Sequence, residues 1–290
     1  MDTSLECVPC VFRQTLDAVR RHSDDADFHE RVLREVAGWI QKTDLKQPPP
    51  LIAQRLHRFL RERTGIADPY AEDKRRDNAL ALSLMPELRE RLAQSDDPFR
   101  LAVRLAIAGN QIDLGPKNSM TVEEVLDAVR SVEEQTFVGD VAAFQRHAAQ
   151  AERILYLADN AGEIVMDRLL VEALGPNKVT VVVRGHPVIN DATLDDAEAA
   201  GLTDICTVIS NGNDVPGTAL DCCTPEVQHL FVTADLVISK GQGNYETLSR
   251  NPREIYFLLK VKCPVIGDDI GYPIGTQVLS KRPAMPEGGR

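Results

Sequence analysis

The sequence predicts an α/β protein that joins a helical first half to a second half built on a mostly parallel sheet. Two observations predict this class. Apolar residues recur at helical spacing through the first half, and no strand pattern interrupts them. In the second half, short β-branched runs alternate with helix-like segments, which is the pattern of parallel strands joined by helical crossovers. We therefore expect a helical domain over residues 1–150 and an α/β domain over residues 151–290.

The helical half opens with Phe12, Leu16 and Val19, which share one face of a helix. A second apolar face runs through residues 28–39. Three prolines at 48–50 break the pattern, so the next helix is expected to begin near Leu51. Further helices are expected at about residues 77–93, 98–108 and 121–133. Such sequence-local helices favour a bundle-like cap.

The strands of the second half are short apolar runs that end in polar loops. The expected strands lie at residues 154–157, 179–183, 207–209, 236–238 and 265–266. The apolar stretch at 256–261 fits either a strand or a helix. In a parallel sheet of this kind, ligands bind beyond the carboxyl ends of the strands. The residues directly after each run are therefore the candidates for function.

The composition excludes several classes of partner. The 44 acidic and 33 basic residues give a net charge of -11, which argues against binding to nucleic acid or to an anionic membrane. No apolar run reaches the roughly 18 residues of a membrane span, and the first residues lack a signal peptide pattern. Six cysteines are too sparse for a secreted disulfide scaffold. We expect a cytoplasmic protein, and a protein this acidic would need a cation if it were to bind phosphate.

Polar residues follow the first two strands in a pattern that suits a metal ion. Asp159 and Asn160 close the first strand, and Asp191 follows the second after a short loop. Carboxylate and amide oxygens are ligands for hard cations such as Mg²⁺ or Mn²⁺. The alternative is that Asp159 and Asp191 only cap the next helices, which each could do alone. Their occurrence at successive strand ends favours a metal site.

A second group of residues suits an anion. Lys240 follows the fourth strand, and Gly241 and Gly243 let backbone amides approach a ligand at the start of a helix. A tight turn with a solvated lysine is the alternative. Arg184 is suited to bidentate phosphate contact. Glu163 lies in the first turn of a helix, where the helix dipole stabilises a carboxylate with or without a role in the site.

Two motifs in the helical half have no function that their spacing alone can assign. Cys7 and Cys10 form a CxxC pair with no second pair, so we favour a structural role at the start of the first helix. Asn110 and Asp113 follow Gly109 at the end of an apolar helix and fit a helix stop.

Six segments in this order resemble the domain-of-unknown-function-89 family of damage-control phosphatases. They are SLECVPCVFRQ, AIAGNQIDLG, YLADNAGEIVMDRLL, VVRGHPVINDAT, DLVISKGQGNYETL and KCPVIG. The likeness covers nearly the whole chain, and the CxxC pair is similar to the prokaryotic branch. The resemblance implies a Rossmann-like three-layer α/β/α domain with a helical N-terminal part. It also implies a divalent metal bound by an Asp-Asn pair and a further Asp, and hydrolysis of phosphate esters such as sugar phosphates or damaged phosphometabolites.

The resemblance places the family's metal ligands on Asp159, Asn160 and Asp191. A basic residue that contacts phosphate corresponds to Lys240, and Asn110 and Asp113 are expected to line the cleft between the two parts. The implied cofactor is a divalent cation, with Mg²⁺ or Mn²⁺ favoured and Co²⁺ or Ni²⁺ left open. The implied partner is a small phosphorylated metabolite, and the oligomeric state is left open.

Two mechanisms and two rival functions stay open at this point. The attacking group is either a water molecule oriented by a carboxylate, which we favour, or Asp159 acting through an aspartyl-phosphate. The rivals are a non-catalytic metal- or metabolite-binding protein and a nucleotide- or S-adenosylmethionine-dependent transferase. The loop from Asp159 to Glu163 argues against the transferase, because it has one glycine where a dinucleotide fingerprint needs GxGxxG.

Overall fold

A computed structural model of the chain describes residues 1–111 and 122–282. The helices in these ranges are α1 (Cys7–His22), α2 (Ala26–Ile40), α3 (Pro49–Thr64), α4 (Ala71–Gln94), α5 (Pro98–Ala108), α6 (Val122–Arg130), α7 (Val141–Gln150), α8 (Glu163–Leu174), α9 (Leu194–Ala199), α10 (Pro225–Thr233), α11 (Gly241–Leu248) and α12 (Pro264–Ile270). The strands are β1 (Phe137–Val138), β2 (Ile154–Leu157), β3 (Val179–Val183), β4 (Thr207–Ser210), β5 (Leu236–Lys240), β6 (Ile255–Lys260) and β7 (Gln277–Arg282).

Helices α1, α2 and α3 form a small unit with an apolar core of its own, which includes Val19, Val36 and Leu56. Helix α3 begins at Pro49, two residues before the predicted start, because proline is well tolerated in the first turn of a helix. Helix α1 begins at Cys7, so both cysteines of the CxxC pair lie in its first turn. Each of the six cysteines is a free thiol.

The seven strands form one sheet in the order β1-β7-β6-β5-β2-β3-β4. All neighbouring pairs are parallel except β6 and β7, so the predicted α/β class with a mostly parallel sheet is confirmed. Strand β2 lies between β3 and β5, and the chain leaves β2 toward β3 before it returns to β5 on the other side. The carboxyl ends of β2 and β5 therefore flank a topological switch point, where α/β proteins bind their ligands.

Helices α4 and α5 share the main apolar core with α8 and the strands. Every residue of α5 from Phe99 to Ala108 except Arg100 is buried. Strand β1 also precedes residue 150, although the sequence predicted no strand there, because two residues are too few to leave an alternating pattern. The division into domains at residue 150 stays a prediction.

The last third of the chain differs from the prediction in two places. Residues 265–266, predicted as a strand, lie in α12. Pro264 occupies the first turn of this helix, where proline is well tolerated. A run of two apolar residues is too short to distinguish a strand from a helix. The undecided stretch at 256–261 is mostly strand β6. Strand β7 was not predicted. No helix among the described residues is long and apolar enough to cross a membrane.

Candidate functional site

The segments that follow β2 and β3 are bonded to each other at the carboxyl edge of the sheet. The Ala192 amide donates to the Asp159 carbonyl oxygen at 2.8 Å, and the Ala161 amide donates to the Asn190 carbonyl oxygen at 2.9 Å. Asn160 and Asp191 form an antiparallel bridge between these bonds. The backbone thus brings together the three predicted metal ligands. Asp159 and Asp191 are buried, with 7% and 4% of their surface exposed.

Two amides hold the Asp159 carboxylate in place. Asn110 Nδ2 donates to Asp159 Oδ2 at 3.0 Å and to Glu163 Oε2 at 2.5 Å. Asn160 Nδ2 donates to the same two oxygens at 2.9 and 3.3 Å. Asn110 follows α5 and Glu163 begins α8, so both predicted substrate-binding residues lie at the site. Both are buried. Asn110 orients Asp159 directly, whereas Glu163 shares the two amide donors with it.

Gly241 lies directly against the Asp159 carboxylate. It has a φ of +73°, and a Cβ added there would lie 1.8 Å from Asp159 Oδ2. Any side chain at this position would displace the carboxylate, so the glycine is required. Gly243 has a packing role, because an added Cβ would lie 2.2 Å from the Pro216 carbonyl oxygen. Contact of either backbone amide with a phosphate stays a prediction.

Lys240 ends β5 and is fully buried. Its Nζ donates to the Ala106 carbonyl oxygen at 2.9 Å, to Glu163 Oε1 at 2.6 Å and to Asp167 Oδ1 at 2.5 Å. An ammonium has three hydrogens, and these three bonds use them all. Direct contact with a phosphate stays a prediction for Lys240, and this geometry weighs against it. Its bonds position Glu163 and Asp167.

Arg184 is almost fully buried beside the predicted metal ligands. Its Nε donates to Asp191 Oδ2 at 2.6 Å, one terminal nitrogen donates to Asn244 Oδ1 at 3.2 Å, and the same nitrogen lies 3.8 Å from Asp159 Oδ1. Its other terminal nitrogen, Nη1, has no hydrogen-bond partner among the described residues. Arg184 thus orients Asp191 and has one buried donor without a partner among the described residues. Its contact with a phosphate stays a prediction.

Negative charge is in excess at this edge of the sheet. Burial raises the pKa of Asp159 well above its usual range, and the charges of Glu163 and Asp191 add to the effect, while Arg184 and Lys262 oppose it. Burial also raises the pKa of Asp191 against the opposing charge of Arg184. The buried acids Asp159, Glu163, Asp167 and Asp191 face two buried bases, Arg184 and Lys240. A bound cation would compensate this excess of negative charge.

The donor set fits a hard divalent cation. Asp159 and Asp191 offer carboxylate oxygens and Asn160 offers an amide oxygen, which are ligand types preferred by Mg²⁺ and Mn²⁺. The described residues contain no group of three or more His, Cys, Asp or Glu side chains that could hold a metal ion. The Asp-Asn-Asp set differs from such a group because one of its ligands is an amide. The ligand assignment stays a prediction.

Three residues of the site are not among those that the sequence predicted. Asp167 lies one helical turn after Glu163 and contacts Lys240. Asn244 Nδ2 donates to the carbonyl oxygens of Ala158 and Lys240 at 3.0 and 2.8 Å, which ties α11 to β2. Lys262 follows β6. The sequence did not place it at the carboxyl edge of the sheet, because the stretch at 256–261 fitted either a strand or a helix. Asp113, a predicted substrate-binding residue, lies outside the described residues.

Comparison with known proteins gives consistent matches over nearly the whole chain. Residues 3–278 match a family model described as the damage-control phosphatase ARMT1-like domain. A damage-control phosphatase of Archaeoglobus fulgidus is 34% identical over 96% of this chain and 98% of its own. An uncharacterized protein of Methanocaldococcus jannaschii is 33% identical over 96% and 94%. The crystal structure of a DUF89 family protein from Pyrococcus horikoshii has a TM-score of 0.88 and 31% identity, and covers 97% of this chain and 99% of that chain.

Proposed function

This chain belongs to the damage-control phosphatase ARMT1-like family, and from that membership we propose that its carboxyl-edge site hydrolyses phosphate monoesters with the help of a divalent cation. The chain is a phosphatase, and its substrate is a small phosphorylated metabolite. We propose sugar phosphates or damaged phosphometabolites as the substrate class. Cytoplasmic location and the lack of a nucleic-acid partner stay predictions from the charge and composition of the sequence.

The observation that carries the proposal is the convergence of Asp159, Asn160 and Asp191 in a buried site with excess negative charge. We propose that these three side chains hold the cation, with Mg²⁺ or Mn²⁺ favoured and Co²⁺ or Ni²⁺ as alternatives. When bound, the cation supplies positive charge that neutralises the phosphate and the charge developing on the leaving oxygen. Four buried carboxylates without such a charge would repel a phosphate dianion.

The side chains around the ligands hold them ready for this chemistry. Asn110 and Asn160 both donate to Asp159 Oδ2, and among the described residues Oδ1 of Asp159 has only the 3.8 Å approach of Arg184. Arg184 fixes Asp191 through its Nε and offers Nη1 to a phosphate oxygen. Such preorganised charges favour the transition state because they need no reorganisation when charge develops.

In the proposed reaction, the oxygen of a water molecule forms a bond to phosphorus while the bond between phosphorus and the ester oxygen breaks. The water proton passes to a carboxylate at this edge, which returns it to the leaving alkoxide, so the products are an alcohol and inorganic phosphate. Asp159 as the nucleophile is the alternative, and it requires a phosphorylated Asp159 that water then hydrolyses. Trapping of a phosphoenzyme on Asp159 would support the alternative.

Activity and binding measured in parallel test the proposal. Phosphate release from p-nitrophenyl phosphate and a panel of sugar phosphates is measured with Mg²⁺, Mn²⁺, Co²⁺ or Ni²⁺, and cation binding is measured by calorimetry. Asp159→Asn keeps the size of the side chain and removes its charge. We expect it to lower kcat/KM by at least about a hundredfold and to weaken cation binding.

The matched control is Asp195→Asn, which removes an equal charge from an exposed position on α9. We expect this variant to retain wild-type turnover. If the wild type binds the cation but releases phosphate no faster than Asp159→Asn, the chain is a non-catalytic binding protein and the proposal is wrong.

A further inference from the structure

A cavity of about 520 Å³ lies where α4 ends and α5 begins. Arg91 on α4 and Arg100 and Arg104 on α5 line it, and none of its lining residues belongs to the carboxyl-edge site. A helix rises 1.5 Å per residue, so Arg100 lies about 15 Å from Asn110 at the other end of α5. The volume is in the range of small-molecule sites. The cavity is thus a candidate for a second binding site.

Arg104 is a buried cation on a helix whose other buried residues are apolar, and only 6% of its surface is exposed. Its Nη2 donates to the carbonyl oxygens of Val132 and Gln135 at 2.5 and 2.6 Å. Its Nη1 makes no hydrogen bond to a described residue, and its Nε is buried without one. Support of the turn at residues 132–134 therefore uses one of the three guanidinium nitrogens and does not account for the other two.

Arg100 brings a second guanidinium group to the same place. The Cζ atoms of Arg100 and Arg104 lie 5.3 and 5.1 Å from the centroid of the Phe137 ring. Burial lowers the pKa of Arg104, and the charge of Arg100 lowers it further, while Glu133 opposes both effects. The two arginines therefore repel each other across one aromatic ring, and an anion between them would remove this repulsion.

The carboxylates that line the cavity have other partners or face solvent. Glu133 lies 3.1 Å from Arg91, and Asp97 accepts from the Arg100 backbone amide at 3.0 Å as the N-cap of α5. Asp96 is exposed. The ion pairs among the described residues include none on Arg100 or Arg104, although the protein has a net charge of -11. The cationic pair is thus left open to an anion from solution.

From this arrangement we infer that Arg100 and Arg104 form a second anion site, which binds the phosphate group of a small polar metabolite away from the carboxyl edge of the sheet. The inference does not depend on the proposed phosphatase function. Guanidinium groups offer paired donors that match phosphate oxygens. The cavity exceeds the size of a bare phosphate, and Gln94 and Ser95 on its wall can bond hydroxyl groups of the attached organic body.

Calorimetric titration of inorganic phosphate into the protein, freed of divalent cations by a chelator, tests the inference. We expect the dissociation constant for phosphate to rise at least about tenfold in Arg100→Met, since a charge-assisted hydrogen bond is lost. Arg100 is exposed, so this variant should keep the fold. Acetate should bind at least about tenfold more weakly than phosphate, because it has one charge and two oxygens. Equal affinity for acetate would overturn the assignment to phosphate.

The buried arginine is tested by Arg104→Lys, which keeps the charge near the carbonyl oxygens of Val132 and Gln135 but loses the planar set of donors. We expect this variant to bind phosphate at least about threefold more weakly than the wild type. The matched control is Arg130→Met, because Arg130 is exposed on α6, bonds Glu87 at 2.9 Å and does not line the cavity. Its phosphate affinity should match the wild type. The inference is wrong if Arg100→Met and Arg104→Lys, both folded by thermal unfolding, bind phosphate as tightly as the wild type.

Hydrolysis of p-nitrophenyl phosphate distinguishes the second site from the carboxyl-edge site. We expect Arg100→Met to keep kcat and KM within about twofold of the wild type, because Arg100 is remote from the proposed metal ligands. A KM that rises in parallel with the dissociation constant for phosphate would place the bound phosphate at the metal site and overturn the inference. If the wild type releases no phosphate from any monoester, the proposed function fails, and the calorimetric result still decides the second site.

Discussion

Lys74 and Lys240 are two buried lysines that make similar bonds in different parts of the molecule. Lys74 on α4 bonds Asp196 Oδ2 at 2.9 Å and lies 3.3 Å from Asp68 Oδ2. Lys240 at the end of β5 bonds Glu163 and Asp167, also within the protein. For both lysines, burial lowers the pKa, but the two facing carboxylates more than reverse this effect and raise it. Burial and charge alone do not distinguish them.

The difference lies in where each network ends. The carboxylate of Asp196 accepts from the backbone and side chain of Thr193, which caps α9, and from Asn78, whose oxygen in turn accepts from the Gly162 amide. The Lys74 network thus ends on backbone and fixes two loops. The Lys240 network continues through Glu163 and Asn110 to the Asp159 carboxylate. The groups that its partners contact therefore indicate the role of a buried lysine better than its own position does.

Removal of the Lys240 charge is expected to have the largest effect on stability. Lys240→Met leaves Glu163 and Asp167 buried without a cation, and breaking a buried pair in this way costs about 3–5 kcal/mol of the free energy of unfolding. Urea unfolding measures the loss. Adding Asp167→Asn removes one of the uncompensated charges and should restore part of the stability. A loss below about 1 kcal/mol for Lys240→Met would show that the two carboxylates are already protonated or hydrated.

Lys74→Met is expected to be milder and to spare catalysis. Asp68 is partly exposed, so water can replace part of the lost interaction, and we expect a loss of about 2–3 kcal/mol in the same urea experiment. At temperatures where the variant is folded, kcat and KM should stay within about twofold of the wild type, because Lys74 bonds Asp196 and Asp68 rather than a proposed metal ligand and acts on Asp191 only through its charge. A loss of kcat as large as that of Lys240→Met would show that the two networks do not have separate roles.

The convergence of Asp159 and Asp191 could be predicted because their strands are clear in the sequence. Asp159 and Asp191 come after mostly apolar runs of four and five residues, and parallel strands place their carboxyl ends at one edge. The role of Lys240 could not be predicted in the same way. Its direction depends on a contact with α8, and the sequence does not show that Glu163 and Asp167 turn toward it rather than toward solvent.

The same limit explains the other differences between sequence and structure. The place of Lys262 beside the site could be recognised only when β6 was known to be a strand that pairs with β5, because its position at the carboxyl edge depends on that pairing. Strand β1 is two residues long and gains its partner from β7, more than a hundred residues later. Both features are set by tertiary contacts, which local sequence patterns do not encode.

The smallest expected effect concerns a third ionic network, which joins α3 to the loop after β4. Asp214 accepts from Arg58 at 2.5 Å, from Gln54 at 2.7 Å and from Arg61. Its carboxylate is buried, but 54% of the Arg58 side chain is exposed, so solvent screens the pair. Burial alone would raise the pKa of Asp214, but the hydrogen bonds from Arg58 and Gln54 and the arginine charges lower it to about 2.

The lowered pKa sets the direction of the pH dependence. Asp214 has an ordinary pKa of 3.8 in the unfolded chain, so the unfolded state binds its proton first as the pH falls. Its contribution to stability is therefore present above about pH 4 and is lost as the pH falls toward 2. We expect Asp214→Asn to lower the free energy of unfolding by about 1–2 kcal/mol at pH 7, after allowance for screening, and by progressively less below pH 4. Urea unfolding of both proteins from pH 7 to pH 3 measures this difference. If the difference in the free energy of unfolding stays constant over this range, Asp214 joins α3 to the loop by hydrogen bonds that do not depend on its charge. The Asp214 network would then differ from the two buried lysine networks.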